Sequence, residues 1–195
     1  MRYEIILDVG ETANKCTIAP LADRQDFRLL RVKGESVLGP LSSNLLLHHE
    51  GVCLTELRKT LTKVEGIASI DCVWRRLPLL LGRIAGQMPV FARIPEGFQT
   101  AYPRRSKQNN DPAGGLATIE AIFIAAALLG CWDPSLLSKY YFGIEFLNLN
   151  AQRFLELGVW EAAHIGSLPL PAVPARNALL RRVNQGRGGE GNTKL

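Results

Sequence analysis

The sequence lacks long hydrophobic runs and any secretion signal, and these absences exclude several classes of protein. None of its apolar stretches, within 195 residues, reaches the roughly 20 residues that a membrane-spanning helix needs. The opening MRYEIILDVG is too short and too acidic for a signal peptide, so we expect a cytoplasmic protein without a membrane partner. There is no internal repeat, and the hydrophobic fraction of 47% is ordinary for a globular chain.

Cysteine and histidine are few and scattered. No two of the four cysteines form a CxxC pair; they are Cys16, Cys53, Cys72 and Cys131. The three histidines, His48, His49 and His164, lack the spacing of metal ligands. We therefore expect reduced thiols, with neither disulfides nor a metal site.

The positive charge is concentrated at the C-terminus. Of the net charge of +5, the last twenty residues carry +4, which leaves the body nearly neutral. The high overall charge is therefore weak evidence for a nucleic-acid partner. A local cluster of Arg104, Arg105 and Lys107 is a better candidate for RNA contact.

The first half alternates strand and helix patterns, which predicts a parallel sheet. Strands are predicted over 3–7, 45–47, 66–71 and 89–94. Helices are predicted over 55–64 and 77–84, with Thr55 as N-cap and Gly66 as the stop of the first. His48 to Gly51 is interpreted as a loop. For residues 18–33, a short helix near Ala22 and a strand over 29–32 both remain open.

The second half is predicted to be mostly helical. The segment 116–130 is apolar nearly all round and should be a buried helix, followed by helices over 134–141 and 142–157. This gives an α/β half over 1–94, a helical half over 95–165, and a Pro- and Gly-rich basic tail over 166–195 that we expect to be disordered.

Two polar positions mark a candidate site. Asp71 ends a predicted buried strand, where α/β sheets bind ligands, and Trp74 beside it would offer a flat wall to a nucleoside. The predicted first turn of the apolar helix holds Thr118 and Glu120, where free N–H groups favour an anion. A purely structural interpretation remains open for both, with Asp71 and the helix turn as caps and Trp74 in the core.

Seven short segments follow one another in a specific order and spacing. They are Lys15-Cys16-Thr17, Leu45 to Gly51, Asp71-Cys72-Val73-Trp74, Pro89 to Arg93, Ala101-Tyr102-Pro103, Leu116 to Ala121 and Phe142 to Asn150. Together these segments resemble the small-subunit ribosomal RNA aminocarboxypropyltransferases, which are related to the DTW-domain transfer RNA enzymes. The resemblance covers about residues 3–157.

The resemblance implies a SPOUT-like α/β fold, with a trefoil-knotted parallel sheet and a mostly helical C-terminal half. It implies transfer of the 3-amino-3-carboxypropyl group of S-adenosylmethionine to a modified uridine of ribosomal RNA, with methylthioadenosine as by-product. The expected partner is ribosomal RNA or the pre-ribosomal small subunit, in ribosome biogenesis, and the expected state is a monomer.

The resemblance also implies roles for individual residues. Leu47, His49, Trp74 and Leu116 would line the adenine and ribose pocket, with Tyr102 as a further cofactor contact. Thr17 and Thr118 would hold the amino-acid end of the cofactor. Asp71 would act as general base or orient the nucleobase. The RNA phosphates would be contacted by Arg75, Arg76, Arg104, Arg105 and Lys107.

Three departures from the family pattern keep other functions in view. His48-His49 replaces a Ser-Pro pair, Val73 replaces a serine, and the basic loop before Leu116 is longer and closer to the DTW-domain enzymes. The basic loop keeps open a transfer RNA aminocarboxypropyltransferase, and His48-His49 and Val73 keep open a non-catalytic RNA-binding assembly factor. A third alternative is a SPOUT-type RNA methyltransferase, because the knotted fold that the resemblance implies commonly serves methyl transfer.

Overall fold

The computed structural model describes residues 1–8, 16–103 and 115–159. The predicted RNA contacts Arg104, Arg105 and Lys107, and the predicted tail 166–195, lie outside the described residues. Within the described ranges, no helix combines the length and the apolar character that a membrane crossing requires.

The described chain contains five strands, four α-helices and three short 3-10 helices. The strands are β1 Arg2–Asp8, β2 Phe27–Val32, β3 Leu45–Cys53, β4 Gly66–Asp71 and β5 Val90–Arg93. The α-helices are α1 Leu54–Thr60, α2 Leu77–Leu81, α3 Thr118–Leu128 and α4 Gly143–Glu156. The 3-10 helices are Ala19–Leu21, Trp74–Arg76 and Pro134–Leu137.

The strands form one parallel sheet in the order β2-β1-β4-β3-β5, as the alternating pattern predicts. In the register of the sheet, Leu7 of β1 lies opposite Asp71 of β4, and Asp8 lies opposite Val32 of β2. Because all neighbours are parallel, the carboxyl ends of the strands meet at one edge of the sheet. This edge is where a ligand of an open α/β sheet is expected.

Both faces of the sheet are covered, which explains the nearly continuous apolar runs of β1 and β4. On one face, Ile5 and Ile67 belong to a large core that includes α3 and the inner side of α4. On the other, Ile6 and Ala68 belong to a smaller core with Leu80 of α2. The residues of α3 from Ile119 to Leu128 are buried except Ala121, as its apolar sequence predicts.

Strand β3 is longer than predicted. The strand continues to Cys53. The segment 48–51, interpreted as a loop from the sequence, is a local irregularity in the pairing of β3 with β5, because Leu47 before it and Val52 after it both pair with Ala92 of β5. A Cβ atom on Gly51 would lie 2.4 Å from the backbone carbonyl carbon of Phe91, so only glycine lets the chain return to the sheet there. The prediction of a loop over 48–51 was therefore wrong, since pairing with β5 is not visible in the local sequence.

Other predicted boundaries also move. Cys53, not Thr55, occupies the N-cap of α1, and Thr55 lies inside the helix. The helix ends at Thr60, so Gly66 does not stop it but begins β4. Helix α2 stops at Leu81, because Ile84 forms a parallel bridge with Leu38.

Two segments whose structure was ambiguous or overestimated in the sequence each contain a short 3-10 helix. Residues 18–33 contain both the turn Ala19–Leu21 and strand β2. The predicted helix 134–141 is limited to Pro134–Leu137, a single turn whose N-terminus is capped by the carboxylate of Asp133. A helix does begin soon afterwards, at Gly143, close to the predicted start.

Candidate active site

A pocket of about 560 Å³ opens at the carboxyl ends of β4 and β5, beside the middle of β3 and the N-terminus of α3. Its size lies within the range of small-molecule and cofactor sites. The walls come from the part of β3 at which it leaves the ladder, the end of β4 and Trp74 after it, the segment 92–98 that includes the end of β5, and Gly115, Leu116 and Thr118. Strand ends and a helix N-terminus from both halves of the chain thus converge on one cavity.

Asp71 lies at the end of β4, half-buried, with two donors on its carboxylate. The hydroxyl of Thr118 donates to Oδ1 at 2.6 Å, and the thiol of Cys16 donates to Oδ2 at 2.8 Å. Burial, together with the Asp71 charge, raises the pKa of the Cys16 thiol to about 12, so this thiol stays protonated and acts as a donor. Both partners are neutral, and they fix the carboxylate in orientation without neutralising it.

An aromatic wall stands next to Asp71. The ring of His49 meets Trp74 edge-on, with centroids 5.6 Å apart. Behind it, His48 packs on His49 at 4.4 Å and on Phe91 at 4.8 Å. Burial and, to a lesser degree, the neighbouring His49 lower the pKa of His48, which keeps this imidazole neutral near pH 7.

The structure brings most of the predicted cofactor contacts together. The pocket-lining residues include the predicted Leu47, His49, Trp74, Leu116 and Thr118. Of the other two, neither is among the described lining residues. Thr17 accepts a hydrogen bond from the backbone N–H of Ile119 at 3.4 Å, and Tyr102 packs its ring edge-on against Phe142 at 6.2 Å. Thr17 thus supports the first turn of α3 from outside the pocket.

The predicted RNA contacts Arg75 and Arg76 follow directly after Trp74, but they differ in their surroundings. Arg75 is exposed. Arg76 forms an ion pair of 2.5 Å with Asp8, whose side chain is only 4% exposed at the end of β1. Arg76 therefore compensates a buried charge, whereas Arg75 offers its guanidinium to solvent next to the pocket.

Sequence reasoning missed the role of Glu120, which is fully buried in α3. Its Oε1 accepts from the backbone N–H of Ala101 and the hydroxyl of Tyr140, and its Oε2 accepts from the hydroxyl of Thr100 and the N–H of Ala117. The signal was present, since Glu120 is the one charged residue within an otherwise apolar helix. Its four partners are distant or backbone groups and could not be read from sequence.

Helix α4 holds the segment after β5 against the pocket. The buried amide of Asn150 exchanges hydrogen bonds with the backbone of Gln99, at 2.7 and 2.8 Å. Arg153 donates from Nε to the carbonyl oxygen of Glu96 at 3.0 Å. Glu96, Gly97 and Phe98 line the pocket, so the helical half positions one of its walls through these contacts.

No protein-family profile and no curated protein matches the chain. Among solved structures, the chain is similar to the SAM-dependent rRNA:acp-transferase Tsr3 from Vulcanisaeta distributa, with a TM-score of 0.57. The match covers 95% of this chain and 97% of that one. The chain has the Tsr3 fold.

The identity between this chain and Tsr3 is 21%, so the likeness concerns the fold. It confirms the predicted α/β, SPOUT-like architecture with a parallel sheet, which has five strands in this chain.

Proposed function

We propose that the protein transfers the 3-amino-3-carboxypropyl group of S-adenosylmethionine to a uridine of ribosomal RNA. The observation that carries the proposal is one pocket in a Tsr3-like fold that is lined by Thr118 and by the Trp74–His49 wall, with Asp71 hydrogen-bonded to Thr118 although it is not itself a lining residue. In this proposal, residues 1–94 supply the sheet and its strand ends, and residues 95–165 complete the pocket.

The chemistry of the pocket fits S-adenosylmethionine. Leu47, Trp74 and Leu116 provide the apolar and aromatic surface that an adenine and a ribose require. The dipole at the N-terminus of α3 favours a carboxylate there, although the N–H groups of Ala117 and Ile119 are already bonded to Glu120 and Thr17. The carboxylate of Asp71 provides a negative charge for a sulfonium cation. These groups would hold the cofactor. Thr118 would lie between the positive end of the α3 dipole and the negative carboxylate of Asp71.

The cofactor supplies an alkyl carbon activated by a sulfonium leaving group. The chemistry it would supply is alkylation of a uridine ring nitrogen at the γ-carbon, with the carbon–sulfur bond broken and methylthioadenosine as the leaving group. The chain mainly brings the two reactants together in line. Asp71 receives the proton from the uridine N–H or orients the base through it, with its oxygens held by Thr118 and Cys16.

The RNA is proposed to approach past Arg75, which is exposed beside Trp74. Arg104, Arg105 and Lys107, outside the described residues, remain proposed phosphate contacts. We further propose that the sheet is threaded into a trefoil knot, and that the protein works as a monomer on the pre-ribosomal small subunit in the cytoplasm. Support for these points comes from the Tsr3-like fold and the basic residues of the chain.

The test is a product assay with S-adenosylmethionine labelled either in its carboxyl carbon or in its methyl carbon. Each form is incubated with the protein and with small-subunit ribosomal RNA or transfer RNA that lacks the modification. We expect carboxyl label in ribosomal RNA and release of methylthioadenosine. The Trp74→Ala variant, which removes one wall of the pocket, serves as the control and should transfer little label.

Other results would select other functions. Methyl label in RNA with S-adenosylhomocysteine as by-product would keep the fold and replace the reaction by methyl transfer. Carboxyl label in transfer RNA alone would move the substrate to that class. Binding of RNA without cofactor binding or label would make the protein a non-catalytic assembly factor.

A further inference from the structure

The local departure of β3 from the ladder brings three consecutive polar side chains together. On a regular strand, neighbouring side chains point to opposite faces. Here Leu47 and Val52 share Ala92 as their partner, so the intervening residues His48 to Gly51 leave the ladder. As a result the rings of His48 and His49 lie 4.4 Å apart, tilted by 33°. The sequence spacing alone predicts no such grouping.

These two histidines and Glu50 form a set of metal ligands. One ligand atom from each lies within 4.8 Å of the others. His49 Nε2 is 3.9 Å from the Glu50 carboxylate. His48 accepts the backbone N–H of Glu50 on Nδ1 at 3.2 Å, so Nδ1 carries the lone pair of this ring and would bind a metal in place of that contact. Two imidazoles and a carboxylate suit Zn²⁺ and related divalent transition ions.

Of the three metal-ligating side chains, one is fixed by packing and two are exposed and can move. His48 is 8% exposed and is packed between Phe91 and His49, which fixes its ring. His49 and Glu50 are exposed. Shortening their separations to those of a tetrahedral ion requires movements of about 1 Å, which exposed side chains make readily.

We propose that His48, His49 and Glu50 bind one divalent transition-metal ion of the zinc class at the rim of the pocket. His49 belongs both to this group and to the pocket wall against Trp74. A bound ion therefore fixes the orientation of that wall. None of the three ligands is given a chemical step in the reaction proposed above, so Zn²⁺ binding can be measured whether or not that reaction takes place.

Titration calorimetry of Zn²⁺ into the full-length protein with reduced thiols tests the site. We expect one equivalent to bind, and we expect His49→Ala and Glu50→Gln to weaken binding at least about tenfold. Both residues are exposed, so the variants should fold, whereas His48 is buried and is left unchanged. His164→Ala, which removes the third histidine of the chain, is the matched control and should bind as the wild type does.

Because Cys72 also lines the pocket, thiol binding must be separated from imidazole binding. Visible absorption of the Co²⁺ complex distinguishes the two, since thiolate ligands add sulfur-to-metal charge-transfer bands. We expect a spectrum without these bands, and unchanged Zn²⁺ affinity in Cys72→Ser. The proposal is overturned by wild-type protein that binds no Zn²⁺ at about 1 mM, by wild-type affinity in His49→Ala, or by loss of binding in Cys72→Ser with retention in His49→Ala.

Discussion

Asp71 combines a negative charge with two hydrogen bonds, and these contributions can be separated by substitution. Asp71→Asn keeps an oxygen that can accept from Thr118 but removes the charge and the basicity. We expect the rate of group transfer to fall by about 100-fold or more, the usual loss for a general base. Binding of S-adenosylmethionine should change much less. Single-turnover transfer and equilibrium binding measure the two effects, and transfer within twofold of wild type would remove Asp71 from the mechanism.

Cys16 supplies a matched pair of controls for this prediction. Cys16→Ser replaces the thiol by another neutral donor to Asp71 Oδ2, and Cys16→Ala leaves that oxygen without this donor. Because the thiol has a pKa of about 12 and cannot act as a nucleophile, the serine variant should retain most of the activity. The alanine variant should lose more of it. A serine variant as inactive as Asp71→Asn would contradict the donor role.

At the scale of single residues, the sequence located the strand-end carboxylate, the tryptophan after it and the helix-start threonine, and the structure places all three at one sheet edge. This was possible because each lies at a predictable end of an element. Cys16 and Glu120 were missed as positioning groups. Their partners, which are Asp71 for Cys16 and the Thr100 hydroxyl and Ala101 N–H for Glu120, are brought to them by tertiary packing.

Among the elements, α3 depends on Glu120 to join it to the neighbouring segment and to Tyr140. Glu120→Gln preserves size, but an amide nitrogen cannot accept, so two of the four donors lose their acceptor. We expect a loss of about 3 kcal/mol in the free energy of unfolding, because either pair of donors includes a buried one, the Ala117 N–H or the Tyr140 hydroxyl. Urea unfolding measures this change.

Glu145→Gln, on the exposed side of α4, is the control for Glu120→Gln and should alter stability by less than about 0.5 kcal/mol. Equal effects of the two substitutions would show that the Glu120 network contributes nothing beyond a surface carboxylate. Thermal unfolding of both variants at the same protein concentration gives an independent comparison.

Element types followed from periodicity, whereas element ends often did not. The apolar run of β4 and the all-round apolar α3 were predicted because burial on two faces leaves a clear pattern. The extension of β3 was missed because the sequence His-His-Glu-Gly resembles a loop. The pairing of Val52 and Cys53 with β5 restores the strand, and that pairing lies some forty residues away in sequence.

For the whole molecule, alternation of strands and helices was sufficient to predict a parallel α/β sheet, and the order of the short motifs led to the Tsr3-like fold. The strand order, with β4 between β1 and β3, was not predictable from periodicity, which contains no information on neighbours. The pocket depends on this strand order. The order makes β4 a neighbour of β3, which carries Leu47 to His49, while the end of β4 also contacts the start of α3 through the Asp71–Thr118 hydrogen bond.

Because both the sheet and α3 line the pocket, a ligand bound there should stabilise the fold as a whole. At 100-fold excess over its Kd, S-adenosylmethionine should add about 2.7 kcal/mol to the free energy of unfolding. For a chain of this length, that corresponds to a rise in Tm of roughly 5–11 °C. Differential scanning fluorimetry over a range of ligand concentrations measures the rise.

Two tryptophan variants show whether this stabilisation arises in the pocket. Trp74→Ala removes a pocket wall and should abolish most of the ligand-dependent rise in Tm. Trp132→Phe alters a core ring that packs on Phe123 and Phe154, so it should lower Tm without ligand and leave the rise intact. The opposite pattern, with the rise kept in Trp74→Ala and lost in Trp132→Phe, would place the ligand away from the strand ends. A wild-type protein whose Tm does not respond to millimolar S-adenosylmethionine would argue against any such site, because binding to the folded state alone must raise the unfolding temperature.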